Sequence, residues 1–270
     1  MKTLTFHKMV ASGNDFIIID NRSRAIKDPT ALARELCPVH TSVGADGILL
    51  YEPSRRGAFK MRIVNSDGSE AEACGNGFRC IALYASKVHK LPVRFSFESL
   101  AGMIEAEVLP NNRVRVQLPD PKDLKMDGSL TVLGNRLHYS FINTGVPHTV
   151  IFTDDLEKMD VNGLGRAIRQ HPAFKPKGTN VNFVKTEGSG GVKVRTYERG
   201  VEAETLACGT GSTASAIISA MLGYVRPPVA VTTRGGETLF INFRRDGKKV
   251  KKVTLEGEAR IVFEGSITLK

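Results

Sequence analysis

A motif repeated half a chain apart is the strongest constraint on how this sequence can fold. Residues 73–85 read ACGNGFRCIALYA, and residues 207–219 read ACGTGSTASAIIS. A second pair of motifs, Gly13-Asn14-Asp15-Phe16 and Gly145-Val146-Pro147-His148, stands at almost the same offset as the two motif cysteines, Cys74 and Cys208. Each member of that pair precedes a short apolar run. Two matches at nearly one offset predict two similar halves, each with a glycine turn, a strand and a Cys-Gly-x-Gly helix start.

The length and the local patterns agree with two domains. A chain of 270 residues fits one large domain or two of about 100–150 residues. Apolar residues at helical spacing predict helices over 29–37, 77–90, 155–170 and 210–223. Alternating patterns between turn signals predict strands over 60–65, 93–98, 103–108, 113–118, 192–197, 229–233, 238–243, 253–259 and 260–267.

We therefore predict an α+β fold made of two pseudo-symmetric, strand-rich domains. Each would be a β-barrel-like sheet around one central helix, with the active site in the cleft between them. Leu118-Pro119-Asp120-Pro121 is the predicted linker, because proline fixes φ and cannot donate to a ladder. The predicted domains are 1–119, completed by a C-terminal strand over 264–270, and 120–263.

Composition excludes several classes of protein. Hydrophobic residues make up 41% and charged residues 24%, as in an ordinary globular protein. No apolar run approaches the length of a membrane span, which takes about 18 residues or more. The first residues also lack the apolar core of a secretory leader. We expect a cytoplasmic protein without a membrane partner.

The net charge of +10 raises the possibility of a nucleic-acid partner. The densest basic cluster, Lys248, Lys249, Lys251 and Lys252, follows Asp246-Gly247. That pattern predicts a solvated hairpin tip. No zinc-finger spacing, aromatic RNA-binding pattern or basic helix accompanies it, so we expect no nucleic-acid partner.

Two of the four cysteines are candidates for chemistry. Cys37 and Cys80 lie on apolar helical faces and are predicted to be small buried residues, and no cysteine spacing matches a metal site. Cys74 and Cys208 instead precede predicted helices, where unpaired N–H groups and the helix dipole favour the thiolate. The glycines that follow allow a ligand to approach those N–H groups, which can hold a carboxylate. Each half thus offers one candidate base and part of an anion site.

A symmetric pair of thiols suits a symmetric reaction. One thiolate would remove a proton from a carbon while the other thiol delivers a proton to the opposite face, which inverts the stereocentre. The α-proton of an amino acid is a very weak acid, so the site must stabilise negative charge on the substrate. No lysine motif for pyridoxal phosphate is visible.

The sequence closely resembles the diaminopimelate epimerase family over its whole length. The resemblance is carried by Lys8-Met9, Gly13-Asn14-Asp15-Phe16, Gly44-Ala45-Asp46-Gly47, Asn65-Ser66-Asp67-Gly68-Ser69, Ala73-Cys74-Gly75-Asn76-Gly77, Thr144-Gly145-Val146-Pro147-His148, Asn180-Val181-Asn182-Phe183, and Tyr197-Glu198-Arg199-Gly200 leading to Ala207-Cys208-Gly209-Thr210-Gly211. It implies a cofactor-independent epimerase of lysine and peptidoglycan-precursor synthesis that interconverts LL- and meso-diaminopimelate. Relatives are often dimers, so it also implies a possible homodimer.

The resemblance assigns roles to particular residues. It implies that Cys74 and Cys208 are the bases. The carboxylate at the reacting carbon would be held by Gly75, Asn76, Gly209 and Thr210. The substrate would further be bound by Asn14, Asn65, Asn180, Glu198 and Arg199, and the thiols oriented by His148 and Glu198. The guanidinium of Arg199 and the carboxylate of Glu198 suit the carboxylate and ammonium at the end of the substrate away from the reacting carbon. Alternatively, Glu198-Arg199 could be a surface pair and His148 a turn residue.

The sequence departs from the family pattern at a few positions. Ala11 stands where many relatives have Gly, Gly47 where some have Gln, and Val146 where some have Asn, and the last two remove possible substrate contacts. The segment from Arg199 to Cys208 is one residue longer than in some members, which puts the register of Val201–Thr205 in doubt.

Two other functions compete with this one. A proline or hydroxyproline racemase would explain two cysteines equally well, but not Glu198, Arg199 and three asparagines suited to a second zwitterionic end. A binding protein for RNA would explain only the charge.

Overall fold

The chain forms two compact units in a computed structural model that describes residues 2–188, 190–247 and 249–269, with only the backbone of Lys2. One unit comprises Met1–Gln117 and Glu256–Lys270, and the other Leu118–Leu255. The division falls at the predicted linker. The C-terminal segment returns to the first unit at Glu256, earlier than residue 264, because the last strand pairs with the first strand from Arg260 onward. Met1 and Lys270 of the predicted domain lie outside the described residues.

The first unit is built from nine strands and two helices of the described chain. They are β1 (Lys2–Ala11), β2 (Asn14–Asp20), α1 (Pro29–Leu36), β3 (Gly47–Glu52), β4 (Lys60–Asn65), β5 (Glu70–Ala71), α2 (Gly75–Val88), β6 (Arg94–Ser99), β7 (Gly102–Val108), β8 (Arg113–Gln117) and, from the end of the chain, β18 (Arg260–Leu269). Strand β1 pairs antiparallel with β2 and β18. Strand β2 runs parallel to β3, which continues antiparallel through β4 to β5.

The second unit repeats this order. Its elements are β9 (Lys122–Val132), β10 (Asn135–Asn143), β11 (Pro147–Phe152), α3 (Val161–Arg169), β12 (Asn180–Thr186), β13 (Gly191–Glu198), β14 (Ala203–Thr205), α4 (Gly209–Met221), β15 (Val229–Thr232), β16 (Thr238–Asp246) and β17 (Lys249–Glu258), the last running past the boundary of the unit. Strand β10 pairs antiparallel with β9 and β11, β11 runs parallel to β12, and β12 continues antiparallel through β13 to β14. The predicted pseudo-symmetry is confirmed at the level of strand order and direction.

Each unit has one central helix, as predicted. Helix α2 contacts strands β1, β2, β3, β7, β8 and β18, and helix α4 contacts β10, β11, β12, β13, β15 and β16. Every residue of α2 from Asn76 to Ala85 is buried. A helix that is buried on all sides is mostly apolar around its circumference. The polar exceptions in α2, Asn76 and Arg79, are hydrogen-bonded to each other.

A second core lies on the other face of each sheet. Ile17 and Ile19 of β2 pack with Leu32 and Leu36 of α1. In the other unit, Val181 and Phe183 of β12 pack in a core with Ile168 of α3. Successive strand residues point to opposite faces, so one strand serves both the central helix and the outer helix.

Some local predictions need correction or lie outside the description. The third helix starts at Val161 instead of residue 155, because Asp160 caps it by accepting from the Gly163 N–H at 2.8 Å. Lys249, Lys251 and Lys252 are exposed after the turn at Gly247, as predicted, whereas Lys248 lies outside the described residues. No helix in the described chain is long and apolar enough to cross a bilayer.

Candidate active site

Cys74 is the N-cap of α2. Its backbone is extended, and its Sγ accepts a hydrogen bond from the Gly77 N–H at 3.4 Å. The first helical bond runs from the Phe78 N–H to the Cys74 carbonyl, so the helix ladder itself does not use the N–H groups of Gly75 and Asn76. The thiol is partly exposed. A sulfur and two helix-terminal donors thus lie together at this end of α2.

Cys208 is the N-cap of α4 with the same geometry. Its Sγ accepts from the Gly211 N–H at 3.4 Å, and Thr210 Oγ1 lies 3.5 Å from the sulfur. The first helical bond runs from the Ser212 N–H to the Cys208 carbonyl, which leaves the N–H groups of Gly209 and Thr210 outside the ladder. The Thr144 hydroxyl fixes this turn by donating to the Thr210 carbonyl at 3.0 Å. Cys208 is buried, with 6% of its surface exposed.

His148 is fully buried on β11 beside Asn182 of β12. Asn182 Nδ2 donates to the Thr149 carbonyl at 3.0 Å, and Asn182 Oδ1 accepts from Thr196 Oγ1 at 3.0 Å. These bonds fix the amide, so its Nδ2 donates to His148 Nδ1 at 3.2 Å. Burial lowers the pKa of His148 to about 3, and the positive charge of Arg199 adds to that lowering. The imidazole is therefore neutral, with its proton on Nε2.

Asn180 holds the backbone of Arg199. Asn180 is buried at the start of β12, its Nδ2 donates to the Pro147 carbonyl at 3.0 Å, and its Oδ1 accepts from the Arg199 N–H at 2.8 Å. One Arg199 Nη1 hydrogen goes to the Lys177 carbonyl at 2.9 Å. The guanidinium has five donors in all, and within the described part of the chain the other donors have no hydrogen-bond acceptor.

The first unit joins Asn14 and Asn76. Asn76 Nδ2 donates to Asn14 Oδ1 at 2.6 Å, and Asn14 Nδ2 donates to Asp46 Oδ2 at 2.8 Å. Asn14 begins β2 and Asn76 lies in the first turn of α2. Arg79, one helical turn further along, donates from Nη2 to Asn76 Oδ1 at 3.0 Å and to Ser12 Oγ at 2.5 Å.

Asn65 and Glu198 occupy matching places at the ends of β4 and β13. Asn65 faces Gly47 across the β3–β4 ladder, and its Nδ2 donates to Ser69 Oγ at 3.0 Å. Glu198 faces Ala203 of β14 and is partly exposed. The repeat thus supplies one polar strand end per unit, each followed by a short strand that leads to the N-capping cysteine.

The structure groups the predicted residues within each unit. In the first, Asn14 contacts Asn76, which lies in the helical turn that Cys74 caps. In the second, Asn180 contacts Arg199, and His148 contacts Asn182 beneath Gly211. Sequence reasoning missed Asn182, Thr144, Arg79 and Asp46 as parts of these networks. Asn182 could have been found, because it stands two residues after Asn180 and therefore on the same face of β12.

The comparisons with known proteins bear on the whole chain. The family model of diaminopimelate epimerase matches residues 6–122 and again 140–262. The second matched segment begins as far after the first as Cys208 stands after Cys74. The chain belongs to the diaminopimelate epimerase family. It is accordingly an isomerase, and the predicted family membership is confirmed.

Close relatives of this epimerase family cover nearly all of the chain. The diaminopimelate epimerase of Aquifex aeolicus is 47% identical over 277 residues, which cover 98% of each chain. That of Hydrogenobaculum sp. is 45% identical over 274 residues, covering 97% of each. This degree of likeness supports a diaminopimelate epimerase function for the chain.

Solved structures show how widely the fold is shared. A phenazine biosynthesis protein of the PhzF family from Bacillus anthracis superposes with a TM-score of 0.74 at 15% identity and covers 100% of both chains. A probable proline racemase from Agrobacterium radiobacter gives 0.75 at 13% identity, covering 99% of this chain and 93% of its own. Identities this low establish the fold alone. The racemase alternative is therefore not favoured over the epimerase function.

Proposed function

We propose that the chain interconverts LL- and meso-diaminopimelate by proton transfer between the α-carbon and two thiols, Cys74 and Cys208, without a cofactor. The observation that carries the proposal is the repeated helix cap. In each unit a cysteine accepts from the N–H three residues ahead, and the next two N–H groups fall outside the helix ladder. Family membership supplies the substrate class.

The proposed reaction balances with one proton taken and one given. The thiolate of one cysteine removes the α-hydrogen as a proton, and the electron pair left on carbon is delocalised into the adjacent carboxylate. The thiol of the other cysteine then delivers its proton to the opposite face, which inverts the centre. The enzyme finishes with thiol and thiolate exchanged, and proton exchange with solvent restores the starting form.

The proposed charge stabilisation uses the two helix starts. N–H groups at Gly75, Asn76, Gly209 and Thr210 would donate to the carboxylate as its negative charge grows during proton removal. Backbone donors that are already oriented need no reorganisation in the transition state. The positive ends of both helix dipoles add to the same effect.

The far amino acid end of the substrate would bind to polar residues from the strand starts and ends. Arg199 would hold the far carboxylate with its remaining guanidinium donors, and Glu198 the far ammonium. Asn14, Asn65 and Asn180 would complete the contacts. A substrate with a single zwitterionic end, such as proline, would leave these groups unpaired, which costs affinity.

A substrate panel with cysteine variants tests the function. LL-diaminopimelate, meso-diaminopimelate, proline and hydroxyproline are incubated with the enzyme under reducing conditions, and stereoisomers are resolved chromatographically. We expect turnover of diaminopimelate alone. Cys74→Ala and Cys208→Ala should each lower kcat by at least about a thousandfold, since each removes a base that nothing replaces.

Cys37→Ala is the matched control. Burial raises the pKa of Cys37 to about 11, so this thiol stays protonated and cannot serve as a base at neutral pH. The control should keep wild-type kcat. Turnover of proline but not diaminopimelate would contradict the substrate assignment, and normal kcat in either single Cys74 or Cys208 variant would contradict the pair of bases.

We further propose a cytoplasmic location and a homodimer. Two free thiols that must alternate between thiol and thiolate need a reducing compartment. The dimer follows from family resemblance, and sedimentation velocity at micromolar concentration should give about twice the mass of one chain; a single species at the mass of one chain would contradict it.

A further inference from the structure

We propose that Arg79 and Asp46 are positioning residues that fix the amide orientations of Asn14 and Asn76 for substrate binding. The inference rests on the proposed function, in which the Asn14 side chain contacts the substrate and Asn76 contributes its backbone N–H. Neither Arg79 nor Asp46 is itself placed in contact with substrate. They act as the two ends of one directional chain of hydrogen bonds.

The chain has four members in the first unit. Arg79 Nη2 donates to Asn76 Oδ1 at 3.0 Å. Asn76 Nδ2 then donates to Asn14 Oδ1 at 2.6 Å, and Asn14 Nδ2 donates to Asp46 Oδ2 at 2.8 Å. Every bond runs in the same direction, from the guanidinium to the carboxylate.

The chemistry of the two ends dictates that direction. A guanidinium has donors only, so the atom of Asn76 that faces Arg79 must be oxygen. The nitrogen of Asn76 therefore faces Asn14 and requires the Asn14 oxygen. An ionised carboxylate is an acceptor only, so Asp46 independently requires the Asn14 nitrogen. Both ends impose the same orientation on two amides that could otherwise exchange the places of their oxygen and nitrogen.

Both ends are themselves anchored. Arg79 is fully buried and also donates to Ser12 Oγ at 2.5 Å. Asp46 and Asp15 hold each other: the Asp15 N–H donates to Asp46 Oδ2 and the Asp46 N–H donates to Asp15 Oδ1, both at 3.1 Å. The buried Lys8 pairs with Asp15 Oδ2 at 2.6 Å. Such anchoring makes rotation of the amides costly.

The fixed orientation has a consequence for binding. Each amide nitrogen carries two hydrogens, and the chain uses one of them in Asn14 and one in Asn76. Asn14 is partly exposed, so the second hydrogen of its amide can be donated to the substrate, whereas Asn76 is buried and holds Asn14 in this orientation. Rotation of the Asn14 amide would replace that donor with an oxygen, which repels a carboxylate. Rotation of the Asn76 amide would favour that change, because it would place an oxygen against Asn14 Oδ1.

The second unit has a residue that matches Arg79 in position but belongs to no such series of hydrogen bonds in the described structure. Arg79 is the fifth residue of α2, and Thr213 is the fifth residue of α4. Thr213 is buried, and its hydroxyl donates to the Gly209 carbonyl of its own helix at 2.9 Å. Thr213→Val is therefore the control for a change of a buried polar residue at the same place in the fold.

The first experiment reads the amides directly in the full-length, substrate-free enzyme. Nuclear magnetic resonance of protein labelled at asparagine would follow hydrogen exchange of the Asn14 and Asn76 side-chain amides. We expect Asp46→Asn and Arg79→Met each to accelerate exchange at both amides by about tenfold or more, because loss of a charge-assisted bond costs more than one tenfold step. Thr213→Val should leave both rates unchanged.

The second experiment is a kinetic double-mutant cycle with diaminopimelate. Each single variant should raise KM by about tenfold while kcat stays within about twofold, as for lost ground-state binding. The kcat/KM of the double variant should lie within about threefold of that of the less active single variant, since either change alone frees both amides. A merely structural role would lower kcat with the folded fraction and leave KM unchanged.

The outcomes separate the inference from the proposed function. Unchanged amide exchange in Asp46→Asn, which is isosteric and exposed, would overturn the inference even if Arg79→Met failed to fold. Additive losses of kcat/KM across the cycle would also overturn it. The proposed function would instead be refuted if the two variants accelerate amide hydrogen exchange as expected but the wild-type enzyme does not turn over diaminopimelate.

Discussion

His148 is a titratable group that lies entirely in the protein interior. It is fully buried, it accepts a hydrogen bond from Asn182, and its pKa is lowered to about 3. At neutral pH the ring is uncharged in the folded protein. It therefore contacts Asn182 as a neutral group.

The lowered pKa makes His148 a source of acid instability. The folded protein keeps this ring neutral down to about pH 3, whereas the unfolded chain takes up a proton below about pH 6.5. The free energy of unfolding should therefore fall by about 1.4 kcal/mol per pH unit from this residue between those values, and be unaffected above about pH 6.5. Urea denaturation of wild type and His148→Gln from pH 8 to pH 4.5 measures the difference.

His138→Gln is the control, because His138 is exposed on β10. The His148→Gln variant should start less stable at pH 8, and its stability should decline less steeply with acid than that of wild type or of the control. Parallel declines in all three proteins would show that His148 is protonated in the folded state.

Sequence patterns single out the two proposed bases more readily than the residues that are hydrogen-bonded around them. Cys74 and Cys208 stand out because their motif occurs twice. Asn182 and Asp46 lie inside motifs that carry the family resemblance, yet their partners come from other elements: Thr196 from β13 and Asn14 from β2. Contacts across strands depend on register, which the local pattern does not reveal.

The two helix starts differ in how tightly their third residue is enclosed. A Cβ built on Gly211 of α4 would collide with Asn182 Oδ1, which Thr196 holds in place. A Cβ on Gly77, at the same position of α2, would meet the flexible end of Met61 at 3.2 Å. Position 211 therefore requires glycine, because the side-chain amide of Asn182 leaves no room for a Cβ atom.

Alanine at these two glycines should have different effects on stability. Replacing glycine by alanine within a helix normally stabilises by about 1 kcal/mol. Gly77→Ala should be neutral or slightly stabilising, since a methionine end can move. Gly211→Ala should destabilise by about 2 kcal/mol, in the range for overpacking, and should lower kcat by displacing Asn182. Thermal denaturation and steady-state kinetics of both variants measure this, and equal stability of the two would contradict the steric account.

Apolar periodicity predicts the core helices and several strands, whereas capping residues decide where a helix begins. The core helices and the strand over 60–65 were located because their apolar faces are complete. The start of α3 was misplaced because Asp160, a capping residue, ends the irregular segment before it. The predicted strands omit β9 and β10, since much of β9 is exposed and lacks a continuous apolar face. They also omit β3 and β12, which are mostly buried, because a short apolar run does not by itself distinguish a strand from a helix.

The repeat explains the course of the whole chain. In the second unit, β10 pairs with β9, which precedes it in the sequence. In the first unit, the equivalent partner of β1 is β18, which comes from the end of the chain. The repeat itself was visible in the sequence. The segment that rejoins the first unit begins at Glu256, whereas the sequence predicts residue 264. The local pattern does not show this boundary, because β18 pairs with β1 at the opposite end of the sequence.

This arrangement predicts a tolerated circular permutation. Lys2 and Leu269 face each other in the antiparallel pair β1–β18, so a short turn can join the two ends. A chain that begins at Asp120 and ends at Pro119, both exposed, would make each unit continuous. We expect it to fold with a melting temperature within about 10 °C of wild type, where about 1 kcal/mol shifts it by about 2–4 °C, and to retain activity.

The control for the permutation is a chain opened inside β12, between Val181 and Asn182, with the same joining turn. That cut divides a buried strand and should abolish folding. Loss of structure in the permutant that begins at Asp120 would contradict the assignment of Glu256–Lys270 to the first unit.

The most direct test of the two-thiol account is the origin of the hydrogen in the product. LL-diaminopimelate is epimerised in D2O, and the reaction is stopped below about a tenth of conversion. With two bases, the meso product receives its α-hydrogen from a thiol already exchanged with solvent. Mass spectrometry should then find close to one deuterium per product molecule and none in the remaining substrate. Product that retains the original protium would contradict transfer between two separate thiols.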